Sequence, residues 1–176
     1  NLRVGVRCSL PLVPIVVSDT DMRVCLLVIG LLVLRASAAG TPAADLRGTA
    51  RAGDRPQPNA VVWLDAPNSP SSLEAKRPVL DQRNLSFSPH VLAVRVGAAV
   101  DFPNNDRVFH NVFSFRDGKR FDLGMYPVGT VRQVRFDKPG LSRIFCNIHP
   151  QMAAYVVVVD TPYFATADRN GAFSIT

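Results

Sequence analysis

A stabilising disulfide is excluded at the outset. The chain has 176 residues and three cysteines, and two of these, Cys8 and Cys25, fall in an N-terminal stretch that reads as leader. Cys146 is then the single thiol of the remainder. A leftover thiol in an exported chain is open to oxidation and cross-linking, so something must occupy it. Long amphipathic helices are also missing. The apolar run Val24 to Leu34 has eleven residues, short of the about 20 that a membrane-spanning helix needs. There is no acidic excess. The 20 basic and 14 acidic residues give +6, or +4 once the four arginines and two aspartates of residues 1–38 are set aside. The remaining arginines are scattered, with no finger, basic helix or aromatic RNA-binding pattern, which excludes nucleic-acid binding. A mildly basic face suits docking of an acidic partner, while the plainer reading is a solvated surface.

What is present at the N-terminus resembles an export signal. Met22-Arg23, the apolar run and Ala36-Ser37-Ala38 match the basic region, hydrophobic region and small-residue cleavage site of a secretory signal peptide. The expected division is residues 1–21 as non-native upstream translation, 22–38 as signal peptide with cleavage after Ala38, and 39–160 as the main domain with an N-terminal strand region. Residues 161–176 are expected to begin a further β-segment. This predicts a periplasmic protein with no stable membrane insertion after cleavage.

The 138 residues after Ala38 suit one domain with a sizeable core. Short valine, isoleucine and phenylalanine runs between glycine, proline and asparagine turns predict an all-β antiparallel sandwich or barrel. Strands are expected over Asn59–Asp65, Val91–Val96, Ala99–Pro103, His110–Phe115, Thr130–Phe136, Ser142–Cys146 and Ala154–Asp160. Leu92, Val94 and Val96 share one parity, as do Val134 and Phe136, which marks strands with one buried face. Tyr155 to Val159 is apolar at every position and predicts a central strand covered on both sides. Ala66–Pro78, with three prolines among serines, reads as a surface excursion. Asp117–Gly129 reads as irregular.

The chemistry concentrates in Cys146-Asn147-Ile148-His149-Pro150-Gln151-Met152, where two residues separate Cys146 from His149 and two separate His149 from Met152. One tight turn can wrap a thiolate, an imidazole and a thioether around one ion, and Pro150 stiffens that turn. His110 lies upstream at the start of a predicted strand. Two histidines, a cysteine and a weak axial methionine form the donor set of a blue-copper electron-transfer site, because Cu(I) prefers sulfur and Cu(II) prefers nitrogen. Zinc is the nearest competitor. Structural zinc takes four cysteine or histidine ligands, so Cys146, His110 and His149 fall one short and His90 would have to complete them. His90 shares parity with Leu92 and Val94 and is read as structural. Trp63 reads as core or edge, and Met125 and Tyr126 as loop residues bordering the metal pole.

With these residues in view, the segment from Phe87-Ser88-Pro89 through Val100-Asp101-Phe102-Pro103-Asn104-Asn105 and Phe109-His110-Asn111 to the Cys146–Met152 loop resembles the cupredoxins. The likeness is to plastocyanin-like and especially amicyanin-like members, and it covers roughly Ser86 to Asp160. It implies a Greek-key β-sandwich holding one type 1 copper, with His110, Cys146 and His149 as strong ligands and Met152 as axial ligand. It further implies that Asn111 ties the two ligand-bearing segments together by hydrogen bonds, with Pro150 beside the site. Leu46 to Asp65 and Pro162 to Ile175 resemble edges of a carboxypeptidase-regulatory-like sandwich, a combination found in methylamine-utilisation-related cupredoxins.

The expected function is a periplasmic blue copper protein that carries single electrons between a dehydrogenase or c-type cytochrome and another redox protein. It is not expected to be an enzyme. Two alternatives stand beside it: a copper-binding or delivery protein, and a metal-free structural sandwich.

Overall fold

A computed structural model describes residues 3–7, 45–66, 76–115 and 117–176. The expected signal peptide, Cys8, Cys25 and most of the proline-rich excursion lie outside the described residues. All regular structure among the described residues is β-strand, and among those residues no helix is long and apolar enough to cross a membrane.

The principal layer is a five-stranded sheet. Its strands run in the order Phe121–Tyr126, His110–Ser114, Gly140–Phe145, Ala153–Val159, Val91–Arg95. Every pair is antiparallel except the last, which is parallel with Tyr155 opposite Val91 and Val159 opposite Arg95. A second layer faces it, built from Ala99–Pro103 paired with Val131–Arg135. Parallel bridges from Val79 to Asp101 and from Gln82 to Asn104 widen that layer toward the hairpin Asp81–Arg83/Ser86–Ser88.

The main core fills the space between the layers. Val94, Val112, Ile144, Ala154, Val156 and Val158 point into it from the first sheet. Leu80, Phe87, Val100, Phe102, Val134 and Phe136 point into it from the second. Leu92 and Val96 pack against the same cluster as Val94, so the alternation read in that strand marks the face turned to the main core; the opposite face is covered too, because Val91 and Ala93 meet a second cluster, and the expectation of a single buried face is corrected.

A second apolar cluster lies behind the first sheet, where Val157 and Val159 meet Val61 and Val91, with Trp63, Tyr155 and Phe164 packed around them. Ala153–Val159 is therefore covered on both faces, which is why its sequence is continuously apolar rather than alternating. The covering piece is a small sheet in which Val61–Asp65 pairs with Phe164–Thr166, and Arg3–Arg7 lines its other edge. Leu46–Thr49 pairs with Ala172–Ile175, so the segments flanking the main sandwich in sequence pair with one another in space.

One expectation is corrected. Asp117–Gly129 is not irregular throughout: Phe121–Tyr126 is a six-residue strand antiparallel to His110–Ser114. The register shifts between Asn111 and Phe113, and Gly124 takes a φ of 64°. A bulge of this kind breaks the alternation by which a strand is recognised. Elsewhere the limits shift by a residue or two: the last two ligand-flanking strands run Gly140–Phe145 and Ala153–Val159, leaving Cys146 just beyond a strand end.

Candidate metal centre

Three elements deliver the donor groups to one pole. His110 opens its strand, and the parity it shares with Val112 and Ser114 turns all three inward, where they are buried. Cys146 follows Phe145, which pairs with Ala153 on one side and Phe113 on the other. The 146–152 segment leaves and re-enters the sheet between neighbouring strands, so its ends are held by the ladder. Within it the Met152 N–H donates to the His149 carbonyl at 2.9 Å, and the Cys146 N–H donates to the Met152 carbonyl at 3.3 Å. The first bond closes a four-residue turn with Pro150 in its second position, where a fixed φ near −65° fits.

The side chains converge. His149 Nδ1 lies 3.1 Å from His110 Nδ1, and Cys146 Sγ lies 3.7 Å from His149 Nδ1 and 3.9 Å from His110 Nδ1. These three residues form the one group of metal-ligating side chains of this kind among the described residues. The centre of the triangle they define is about 2 Å from each corner, the length of an ordinary metal–nitrogen bond. One ion can therefore reach all three donors from near their plane. His110 is wholly buried, Cys146 is 3% exposed and Met152 is 1% exposed. His149 is half-buried. Of the three clustered donors, His149 alone reaches the surface. Cys146 and Met152 belong to the same main core cluster, which places a thioether at the buried end of the loop.

The far nitrogen of His110 has a partner that the sequence reading missed. Asp106 Oδ2 lies 3.0 Å from His110 Nε2, with both side chains nearly inaccessible. The same oxygen accepts the Leu85 N–H at 2.7 Å, and Oδ1 accepts the Arg107 N–H at 2.8 Å. The Leu85 N–H above all, then the Arg107 N–H and His110, hold the Asp106 carboxyl down at about 2, against the opposing effect of burial. An ionised carboxylate only accepts hydrogen bonds. His110 Nε2 must then carry the proton, and its Nδ1 presents a lone pair toward Cys146 and His149. A carboxylate on the remote nitrogen is the usual way a metal-ligating imidazole is oriented and made more basic. The signal was local, an aspartate four positions before the histidine, but the contact depends on how the 104–110 loop folds. Asn104 shapes that loop, accepting the Asp106 N–H and donating to the carbonyls of Val108 and Tyr126.

Other singled-out residues take different places. Asn111 donates from Nδ2 to Asp122 Oδ1 at 2.7 Å, so the amide nitrogen binds its strand to Phe121–Tyr126 and not to the ligand loop. Its buried Oδ1 has no protein partner. His90 is outside the cluster: it is exposed, with Nδ1 3.2 Å from the Ala153 carbonyl oxygen and its ring edge-on to Tyr155. A zinc set completed by His90 is not assembled. Tyr126 is buried beneath the metal pole, opposite His110 in the ladder. Its hydroxyl receives the Gln82 Nε2 hydrogen at 2.6 Å and donates to the Phe102 carbonyl at 3.1 Å, and burial pushes its pKa well up. Met125 is exposed. Trp63 packs in the rear cluster, away from the donors.

No family model and no curated protein matches the chain. Among solved structures it is similar to a purple cupredoxin from Nitrosopumilus maritimus, at 26% identity and a TM-score of 0.44, over 47% of this chain and 99% of that one. It is similar to a copper-containing nitrite reductase from Thermus scotoductus SA-01 at 26% identity and a TM-score of 0.46, over 50% of this chain and 23% of that one. An oxidised amicyanin variant is similar at 22% identity and a TM-score of 0.45, over 51% of this chain and 87% of that one.

Proposed function

We propose that this chain is a periplasmic type 1 copper protein that carries single electrons between redox proteins. The observation that supports this most is the donor triangle of His110 Nδ1, His149 Nδ1 and Cys146 Sγ, with sides of 3.1, 3.7 and 3.9 Å. A trigonal two-histidine, one-cysteine set with a distant methionine is the arrangement used for blue-copper electron transfer. His110, His149 and Cys146 would hold the ion and Met152 would be the weak fourth donor. Copper bound there supplies a one-electron couple.

The chain's own contribution is rigidity and insulation. The donors stand at the ends of paired strands over a packed core, so their spacing changes little whichever charge they face. Ile144, Val112 and Met152, all buried, keep water from the inner side. With Met152 as fourth donor, no position would be left open for a substrate, in contrast to catalytic metals.

His149, the half-exposed ligand, is the group through which the electron passes. Exposed apolar side chains occupy neighbouring positions in the chain and the ladder: Val108 and Phe109 before His110, Ile148 before His149, and Met125 opposite Asn111. Clustered apolar exposure of this sort marks an interaction surface, and transient redox encounters need only a small one. A dehydrogenase or c-type cytochrome is the class of partner that such a face suits.

Titration with Cu(II), followed by visible absorption and electron paramagnetic resonance, tests the reading. One equivalent per chain should produce an intense band near the red end of the visible spectrum and a reversible one-electron wave. A colourless complex that surrenders Cu(I) to a chelator and shows no wave would identify a copper-delivery protein instead.

A further inference from the structure

We infer that Asp106 is a positioning residue that holds His110 and, by its buried negative charge, biases the copper centre toward its oxidised state. This rests on the copper reading above and deepens it, because it assigns a role to a residue outside the donor set.

The geometry has three parts. Asp106 Oδ2 receives the His110 Nε2 hydrogen at 3.0 Å in a place where the histidine side chain is 0% exposed and the aspartate 10%. The carboxylate is itself fixed by backbone donors on both oxygens, from Leu85 and Arg107. Its own N–H is held by Asn104 Oδ1 at 3.0 Å. The Leu85 donor stands at the tip of the Asp81–Ser88 hairpin, where Asn84 and Leu85 take φ values of 52° and 55°. Leucine rarely adopts that conformation. Here the turn aims its amide at the carboxylate, so two separate segments immobilise one acceptor.

A charge fixed in this way has a definite electrical consequence. Cu(II) carries one more positive charge than Cu(I), so a negative group joined to a ligand by a hydrogen bond favours Cu(II). Removal from water strengthens the effect, because a charge shielded by protein is screened less than one on the surface. A carboxylate also draws the Nε2 hydrogen toward itself and leaves Nδ1 a better donor. A neutral acceptor in the same place would orient the ring without supplying the charge.

Protein-film voltammetry of copper-loaded Asp106→Asn, Asp106→Glu and Asp160→Asn variants separates charge from shape. Asp160 is exposed and follows Val159, at the end of the sheet remote from Ala153. Asp106→Asn should raise the reduction potential by a factor of ten or more in the Cu(II)/Cu(I) equilibrium, which is about 59 mV for one electron. Asp106→Glu, which restores the charge, should return most of the shift, and Asp160→Asn should leave the potential where it was. A blue Asp106→Asn protein whose potential is unchanged or lower overturns the inference while leaving the copper reading intact; a wild-type protein that never turns blue defeats the reading itself. Should Asp106→Asn fail to fold, nitrogen-15 NMR of the wild-type zinc-loaded protein decides. A slowly exchanging hydrogen on His110 Nε2 supports the assignment, and a His110 protonated on Nδ1 or rapidly exchanging at Nε2 overturns it.

Discussion

His110 Nδ1 and His149 Nδ1 stand 3.1 Å apart, close enough for one ion to touch both. The Asp106 contact turns His110 Nε2 away from the donor triangle, which leaves Nδ1 as the nitrogen that faces Cys146 and His149. Nitrogen-15 NMR of the zinc-loaded protein should therefore show both imidazoles protonated on Nε2, the nitrogen remote from the ion. A hydrogen on Nδ1 of either ring would contradict the donor assignment.

Cys146→Ser removes the thiolate whose bond to copper would give the proposed centre its colour. The variant should lose the red-end absorption even at saturating copper, while far-ultraviolet circular dichroism stays that of a β-protein. The hydroxyl is smaller than the thiol, so the cost to folding should be about 1–3 kcal/mol from the buried polar group, measurable by denaturant titration.

Met152→Leu conserves volume and apolarity in a site that is 1% exposed. Copper should still bind through the other three donors. The potential should rise by on the order of 60 mV, a tenfold change in the redox equilibrium, since the axial donor tunes the couple. Complete loss of copper would show that Met152 does more than tune.

Tyr126→Phe separates scaffold from site. It leaves the Phe102 carbonyl without its hydroxyl donor and removes one of the two contacts of Gln82 Nε2, which keeps the Pro103 carbonyl at 3.0 Å. Unmet buried hydrogen bonds cost about 1–3 kcal/mol. Thermal unfolding should shift down accordingly, with the copper spectrum retained. A bleached spectrum would place Tyr126 in the site rather than beneath it.

The ligand loop was legible because its chemistry is local. Cys146, His149 and Met152 are spaced so that one turn can present all three, and no strand pairing has to be known to see it. The doubly covered strand was equally plain, since Tyr155 to Val159 has no polar position that could face water. Phe121–Tyr126 escaped notice because Gly124 and the bulge opposite Asn111–Phe113 interrupt its alternation. Asp106 escaped for a different reason. Its role arises only when the Asn84–Leu85 turn arrives from 21 positions earlier in the chain to share its oxygen. The Asn111 contact with Asp122 likewise depends on a register that no run of residues encodes by itself.

The ribbon from Ala153 to Val159 is a common wall between two apolar compartments, with Val156 and Val158 on one side and Val157 and Val159 on the other. Neither compartment can open alone without wetting the other's boundary, so slowest amide exchange should fall on this ribbon and arrive as a single cooperative event. Because the ribbon begins one residue after Met152, the outlying small sheet acts as a distant buttress for the candidate metal centre: weakening it at Val61 or Phe164 should broaden the electronic signature of copper loaded at a site that sheet never touches.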